Sequence, residues 1–382
     1  MAELPSYFSD FLRSIRPTQS QREKMRDAHR ELRERLEADE KLKPLLVATF
    51  IQGSYRRFTA NRPQNDDACD VDIVVATNLD EKQTTPRQAL ERFRPFLKEH
   101  YEGKYQLQGR SWGIKVDQEV ALDLVPTSAP SEVQEQAMAA ITKSWDFPIE
   151  PVSITANAYD DLLTTNNRTL LDRFELATAE SSWKNEPLRI PDREADIWED
   201  THPLEQIRWT RQKNAETNGH YVNVVKAIKW WRRLRVSTPS RPKSYPLEHM
   251  IGDCCPIGIT SVAEGVTRSL EEMESAYRPY VNGGKVPFLG DRGVPSHNVL
   301  HRVTADDFGS FLDQVRDASQ TARDAIDAET VKQSADLWRK LFGDEFPASP
   351  DDDDNKNGNS NDGGKGFTQR TAPSQIQPGR FA

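Results

Sequence analysis

The segment DVDIVVAT, residues 70–77, constrains the fold most strongly, because it joins a β-branched apolar run to two aspartates one residue apart. Such a run is typical of a strand that is buried on at least one face. Side chains alternate between the two faces of a strand, so Asp70 and Asp72 point the same way with Cα atoms about 6.8 Å apart, while Val71 and Ile73 face the core. The strand therefore predicts two carboxylates that reach one site.

A third carboxylate follows in VALDLVPTS, residues 120–128. The same alternation turns Asp123 outward, on a strand that can neighbour the first in the sheet. Carboxylates about 4 Å apart repel by roughly 4 kcal/mol per pair at an effective dielectric constant of about 20, and divalent cations offset this cost. Oxygen ligands favour Mg²⁺ or Mn²⁺ over zinc. We therefore predict that Asp70, Asp72 and Asp123 hold two Mg²⁺ ions, with Mn²⁺ as an alternative, for a phosphoryl transfer.

A Gly53-Ser54 pair ends the apolar run that precedes these strands. Glycine lets the backbone approach a phosphate closely, and backbone N–H groups with the Ser54 hydroxyl can hold a triphosphate beside the metals. Alone, a D-x-D pair is more often part of a surface strand, and a Gly-Ser pair is more often only a turn. The combination with the later LDLVP strand is much more specific, and it predicts nucleotidyl transfer.

Apolar periodicity predicts the elements around these motifs. Residues 18–40 have apolar positions three or four apart, which indicates one long amphipathic helix. Residues 103–116 and 118–128 are predicted as two strands joined by a tight turn. Strands and helices in this order indicate an α/β sheet unit.

A change in pattern divides the chain into three parts. Residues 1–200 are predicted to form the α/β domain with its N-terminal helix, and residues 201–346 a helical lobe. Residues 347–382 contain too few large apolar residues to offset the entropy of ordering, which predicts a disordered tail.

Composition excludes several classes of protein. A net charge of -9 over 382 residues argues against a protein whose main task is to grip long nucleic acid. No apolar run approaches the roughly 20 residues that span a bilayer, and the N-terminus lacks the pattern of a signal peptide, so we expect a cytoplasmic protein without a membrane anchor. The three cysteines are too few for a disulfide framework and have no zinc-site spacing.

The motifs QGSYRRFT, DVDIVVAT and ALDLVPTS resemble the signature of the nucleotidyltransferase superfamily that includes oligoadenylate synthetases, cyclic GMP-AMP synthase and the bacterial CD-NTases. The resemblance continues through GHYVNVVKAIKWWRR, RPKSYPLEHMIGD and HNVLHRVTADDFGSF. It is closest to clade D, often called CdnD, down to the PGRFA ending. It implies an α/β palm of the polymerase-beta-like class, a helical C-terminal lobe and a long N-terminal helix bracing both.

The resemblance also implies roles for particular residues. Asp123 becomes the metal ligand that helps to deprotonate the attacking ribose hydroxyl. In KAIKWWRR, Lys226 and Lys229 lie three positions apart on one helix face, and Lys229 matches the family lysine that neutralises triphosphate charge. Ser244 corresponds to a phosphate contact and Tyr245 to an aromatic that stacks on a base, although Tyr245 also fits an ordinary half-buried tyrosine. The nucleotide-binding residues predicted in this way are Gln52, Gly53, Ser54, Lys226, Lys229, Ser244 and Tyr245.

The sequence leaves the role of two arginines open and predicts a structural role for two tryptophans. Arg56 and Arg57 can contact phosphate or only cap a surface. Trp230 and Trp231 fit a helix packed on one side, and an aromatic stripe is more often core than a surface that binds bases.

The activity implied by the resemblance is synthesis of a cyclic oligonucleotide second messenger from ATP and GTP in bacterial anti-phage (CBASS) signalling. For clade D it implies a cyclic trinucleotide of two adenylates and one guanylate. A linear polymerase or RNA-tailing enzyme of the same fold is an alternative, and so is a catalytically silent nucleotide-binding protein. The resemblance also implies a partner similar to ubiquitin-transfer enzymes, which would join the C-terminal Ala382 to a target amine.

Overall fold

The computed structural model of the chain describes residues 3–64, 67–132, 134–135, 186–236 and 238–349. The strands are β1 Leu46–Gln52, β2 Cys69–Thr77, β3 Tyr105–Leu107, β4 Trp112–Lys115, β5 Val120–Pro126, β6 Leu188–Asp192 and β7 Ile197–Thr201. The helices are α1 Pro5–Ile15, α2 Gln19–Ala38, α3 Gly53–Arg56, α4 Pro86–Glu91, α5 Arg94–His100, α6 Pro203–Glu216, α7 Tyr221–Arg235, α8 Ser244–Cys254, α9 Val262–Asn282, α10 Ala305–Asp327 and α11 Val331–Phe342.

A five-stranded mixed sheet in the order β1-β2-β5-β4-β3 carries the predicted acidic strands. β2 pairs antiparallel with β1 and parallel with β5, so the strand of Asp70 and Asp72 does neighbour the strand of Asp123. Val71 and Ile73 have no exposed surface. They pack in one hydrophobic cluster with inward residues of β5 and with apolar residues of α2, α4 and α5.

The strand prediction for residues 103–116 was wrong in one respect. This segment forms two strands, β3 and β4, which pair antiparallel with Leu107 opposite Trp112. The backbone N–H of Gln108 donates to the carbonyl of Ser111 at 2.9 Å and closes a turn around Gly109. The short turn therefore folds the segment back on itself and adds a strand to the edge of the sheet.

The N-terminal brace consists of two helices. Thr18 caps α2 through a capping box with Gln21, which explains why the helix begins there. The buried side of α2 packs on the sheet, as its periodicity predicts. The preceding helix α1, which the sequence pattern did not reveal, instead packs with α7, α9 and α11 in the core of the helical lobe.

The helical lobe has a large aromatic core. The rings of Phe11 and Phe342 are stacked with centroids 4.4 Å apart, and the ring of Trp338 is stacked on Phe342 at 5.6 Å. Trp230 and Trp231 on α7 are 4% exposed, so they belong to this core and not to the surface that binds a ligand.

The predicted division of the chain stays a prediction. The boundary at residue 200 falls within β7, and α6 begins at Pro203. Nevertheless, α1 packs with helices that come after this boundary. The predicted tail lies almost entirely outside the described residues, which end at Ser349. Among the described residues, no helix is both long enough and apolar enough to cross a bilayer.

We expect Phe11→Ala to lower the free energy of unfolding by about 3 to 5 kcal/mol, because it removes a fully buried ring from the core shared by α1 and α11. Denaturant unfolding measures this loss. The matched control is Phe288→Ala, whose ring is 64% exposed and whose removal should cost less than about 1 kcal/mol. Equal losses in the two variants would contradict the packing of α1.

Candidate active site

A cleft of about 1290 Å³ opens between the acidic strands and the helices α7 and α8. It brings together residues from the predicted sites that lie far apart in sequence. The predicted residues along its wall are Gln52, Gly53, Ser54, Asp70, Asp72, Asp123, Lys229, Ser244 and Tyr245. Lys226 lies one turn before Lys229 on α7, is 4% exposed and is not among the residues that line the cleft. Its predicted role as a nucleotide contact therefore has no support from its position.

The three aspartates are held together by strand register. Asp72 on β2 stands directly opposite Asp123 on the parallel strand β5. Neighbouring strands are about 4.8 Å apart, and Asp70 lies two residues before Asp72 on the same face. Gln108 donates its side-chain N–H to Asp123 Oδ1 at 3.1 Å. The backbone thus forces three like charges toward one end of the cleft.

This crowding changes the acidity of all three groups. Burial, followed by the charges of Asp72 and Asp70, raises the pKa of Asp123 to about 7. Partial desolvation and the charge of Asp72 raise the pKa of Asp70. Burial also raises the pKa of Asp72, although the Arg57 guanidinium opposes this shift. The ionised site therefore carries an electrostatic cost that a cation would relieve.

The donor set fits a hard divalent cation, since it consists of carboxylate oxygens on adjacent strands. Within the described part of the chain, no three histidine, cysteine or acidic side chains are arranged so that they could hold a metal ion as they stand. The fit to Mg²⁺ therefore rests on the chemistry of these oxygens and on their raised pKa values, and the ligand roles of the aspartates stay predictions.

The Gly-Ser turn is joined closely to the carboxylates. Gly53 has a φ of +74°, and a Cβ atom placed on it would lie 1.8 Å from Asp72 Oδ2. Only glycine fits, both because of this contact and because L side chains avoid this backbone conformation. The turn continues into the single helical turn α3, which places Ser54 in the cleft wall.

Tyr245 is held by its hydroxyl group. It donates to Asp291, and the Arg57 guanidinium lies 5.7 Å from the centre of its ring. His249 packs edge-on against the ring, with centroids 4.7 Å apart. Burial and then Asp291 raise the pKa of Tyr245, so the hydroxyl remains a donor. The ring therefore has a fixed orientation in the cleft wall, as base stacking requires.

Sequence reasoning missed one central residue of the cleft, Glu248, and left its partner Arg57 undecided. Both are buried, and Arg57 Nη2 donates to Glu248 Oε2 at 3.1 Å. Although burial disfavours the charge of Glu248, Lys229 and then Arg57 lower the pKa of its carboxyl to about 2. A signal was available in the sequence, because Glu248 is the first acidic residue after a basic stretch that runs from residue 217 to residue 247.

Comparisons with known proteins identify relatives over the whole length of the chain. Residues 2–156 match the family model of the Second Messenger Oligonucleotide or Dinucleotide Synthetase domain. The chain is 42% identical to "Cyclic AMP-AMP-GMP synthase" of Enterobacter hormaechei subsp. hoffmannii, over 100% of both chains. It is 40% identical to "Probable cyclic AMP-AMP-GMP nucleotide synthase" of Salmonella paratyphi B, again over 100% of both chains.

A solved structure shares the fold at low sequence identity. The CD-NTase CdnG of Bradyrhizobium diazoefficiens, solved in complex with GTP, has a TM-score of 0.63 and 14% identity, and the match covers 89% of this chain and 94% of that chain. The sheet and the helical lobe have the polymerase-beta-like fold, and the full-length relatives define a nucleotidyltransferase. Given the full-length identity to the Enterobacter enzyme, the chain belongs to the bacterial CD-NTase family. Its placement in clade D stays a prediction.

The acidity of Asp123 predicts how stability depends on pH when metal is absent. The folded pKa of about 7 lies above the ordinary value of about 3.9, so the stability linked to the bound proton is complete below about pH 4 and is lost as the pH rises through 7. With a chelator present, the free energy of unfolding of Asp123→Asn should therefore exceed that of the native chain by about 1 to 3 kcal/mol at pH 8.5. At pH 4.5 the two values should differ little.

The control for this measurement is Asp117→Asn on the turn before β5. Asp117 is exposed, and despite partial desolvation the backbone N–H groups of Glu119 and Val120 lower its pKa. Its substitution should therefore not stabilise the protein at high pH. A stability gain at Asp117 and none at Asp123 would refute the electrostatic account of the cleft.

Proposed function

We propose that this protein makes a cyclic oligonucleotide second messenger from ATP and GTP, with a cyclic trinucleotide of the AMP-AMP-GMP type as its product. The observation that carries the proposal is the full-length identity of 42% to a cyclic AMP-AMP-GMP synthase, together with a cleft that joins three aspartates to a glycine turn and a buried lysine. We further propose that the product acts in bacterial anti-phage signalling.

Three aspartates are proposed to hold the catalytic metals. Asp70 and Asp72 would ligate two Mg²⁺ or Mn²⁺ ions, with Asp123 as the third ligand. When bound, these ions neutralise charge on the transferred phosphate and on the attacking and leaving oxygens. Asp123, which stands opposite Asp72 on the neighbouring strand, would also help to deprotonate the attacking ribose hydroxyl.

The rest of the cleft is proposed to bind the nucleotides. Gln52, Gly53 and Ser54 would hold the donor triphosphate through backbone N–H groups and a hydroxyl. Lys229 would neutralise its charge, and Ser244 at the exposed start of α8 would contact a phosphate. Tyr245, fixed by Asp291, would stack on a base. Each of these side chains then acts on binding and orientation rather than on bond breaking.

The decisive experiment is incubation of the purified protein with ATP, GTP and Mg²⁺, followed by phosphatase treatment and mass measurement. We expect a phosphatase-resistant cyclic product. Asp70→Asn, Asp72→Asn and Asp123→Asn should each lower turnover by at least about a hundredfold, because each removes a ligand from one shared site, and a double variant should lose little more.

Asp117→Asn is the control in this assay, since it makes the same chemical change outside the cleft and should keep activity. A product with free ends would support a linear polymerase or tailing enzyme instead. Binding of nucleotide without turnover would indicate a silent nucleotide-binding protein. Near-normal turnover in any of the three cleft variants would refute the two-metal assignment.

We also propose that the C-terminal segment is a handle for conjugation by a partner similar to ubiquitin-transfer enzymes. The support for this is the sequence resemblance alone, because Phe381 and Ala382 lie outside the described residues. Removal of these two residues should leave synthesis by the purified enzyme intact and eliminate high-mass conjugates in cells that contain the partner.

The two halves of this prediction are measured separately, by product formation and by immunoblotting of the enzyme. The full-length chain with the inactive Asp123→Asn site serves as the control, since it should still form conjugates. Conjugates that persist after the truncation, or loss of synthesis in the purified truncated enzyme, would refute the proposal.

A further inference from the structure

A buried ionic cluster joins the Gly-Ser turn to the helical lobe at the cleft wall. It consists of Arg57 and Thr59 from the segment after the turn, Lys229 on α7, and Glu248 on α8. The side chains of Arg57, Lys229 and Glu248 are less than 10% exposed, and all three line the cleft. A single carboxylate thus connects three separate segments of the chain.

Glu248 divides its two oxygens among four donor atoms. Oε2 accepts from Arg57 Nη2 at 3.1 Å and from Arg57 Nε at 3.4 Å. Oε1 accepts from Lys229 Nζ at 2.6 Å and from Thr59 Oγ1 at 3.0 Å. Both cations are therefore held in position by this one group.

The geometry at Lys229 leaves one donor for a ligand. An ammonium group has three N–H donors. One contacts Glu248 at 2.6 Å, and a second contacts the Thr59 carbonyl at 3.0 Å. Because these two contacts fix the direction of the group, the third donor has a defined direction in a residue that lines the cleft.

The charges of the cluster do not cancel. Two cations, Arg57 and Lys229, face one anion, Glu248, which leaves a net charge of +1 in buried surroundings. A buried excess charge is costly unless a partner compensates for it. Asp72 is a second anion that acts on Arg57, so Lys229 is the cation of the cluster with which a bound phosphate would pair.

We propose that Glu248 is a positioning residue for the triphosphate, which holds Arg57 and Lys229 in place and directs the remaining N–H of Lys229 toward the ligand. This inference rests on the proposed triphosphate site and deepens it. Without the carboxylate, the two cations repel each other and turn apart, and the ordered donor is lost. The role is distinct from general stabilisation of the fold, because it affects the phosphates of a ligand and not its base.

The test compares Glu248→Gln, which removes the charge and keeps the shape, with the native chain. Calorimetry with Mg²⁺ measures binding of a non-hydrolysable ATP analogue and of adenosine. The dissociation constant of the analogue should rise about tenfold or more, as expected for loss of charge-assisted hydrogen bonds. That of adenosine should change by less than about twofold.

A double-variant cycle identifies the residue through which Glu248 acts. In a Lys229→Ala background, most of the loss caused by Glu248→Gln should disappear, because the ammonium group that it positions is absent. The control is Glu345→Gln, which breaks the ion pair of Glu345 with Arg62 between the same two parts of the protein but outside the cleft. It should leave binding of the analogue unchanged.

Several outcomes would overturn the proposal. One is unchanged or tighter binding of the analogue by Glu248→Gln. Another is an equal loss of affinity for adenosine. A third is a loss of affinity for the analogue in the Lys229→Ala background as large as in the native background. If Glu248→Gln fails to fold, Thr59→Ala is the second variant, because it removes one donor to the same carboxylate without a change of charge. It should raise the dissociation constant of the analogue about twofold to threefold. No effect there would also overturn the proposal. Failure of the native chain to bind the analogue would instead contradict the proposed function.

Discussion

Parallel pairing of β2 with β5 is the constraint on which the cleft depends. The register that buries Val71 and Ile73 also sets Asp72 opposite Asp123, so the hydrophobic gain of the core holds the like charges together. A slip of one residue would turn every inward side chain outward, which makes the register costly to change. The protein thus uses the rigidity of its core to keep an electrostatically unfavourable group of carboxylates in place.

The same region shows why some of the site could be predicted from sequence. Strand alternation is a local property, so the shared face of Asp70 and Asp72 and the outward direction of Asp123 follow from the residues themselves. The long helix α2 was also predictable, because its apolar positions have a helical period and Thr18 offers a cap. The turn that splits residues 103–116 was missed, although the polar stretch from Gln108 to Ser111 around Gly109 is a turn signal.

Other parts of the site depend on contacts between distant residues. Glu248 is an ordinary helical glutamate in sequence, and only the approach of Arg57 from 191 positions away makes it the centre of a buried cluster. Asp291 likewise gains its role when the loop after α9 brings it to Tyr245. Lys226 and Lys229 have the same side chain and lie one turn apart, yet only Lys229 lines the cleft. Tertiary packing decides between them, and periodicity does not.

The position of α1 has a consequence for how the chain acquires its structure during synthesis. Phe8 and Phe11 near the start of the chain pack against Trp338, Phe342 and Phe346 near the end of the described residues. These contacts cannot form until nearly the whole catalytic body has been translated, and contacts of such long sequence separation form slowly. Until then α1 lacks its aromatic partners on α11, although α7 and α9 have already been made. The aromatic core of the helical lobe is therefore completed last, and an unfinished chain exposes aromatic rings of α1 that the finished chain buries.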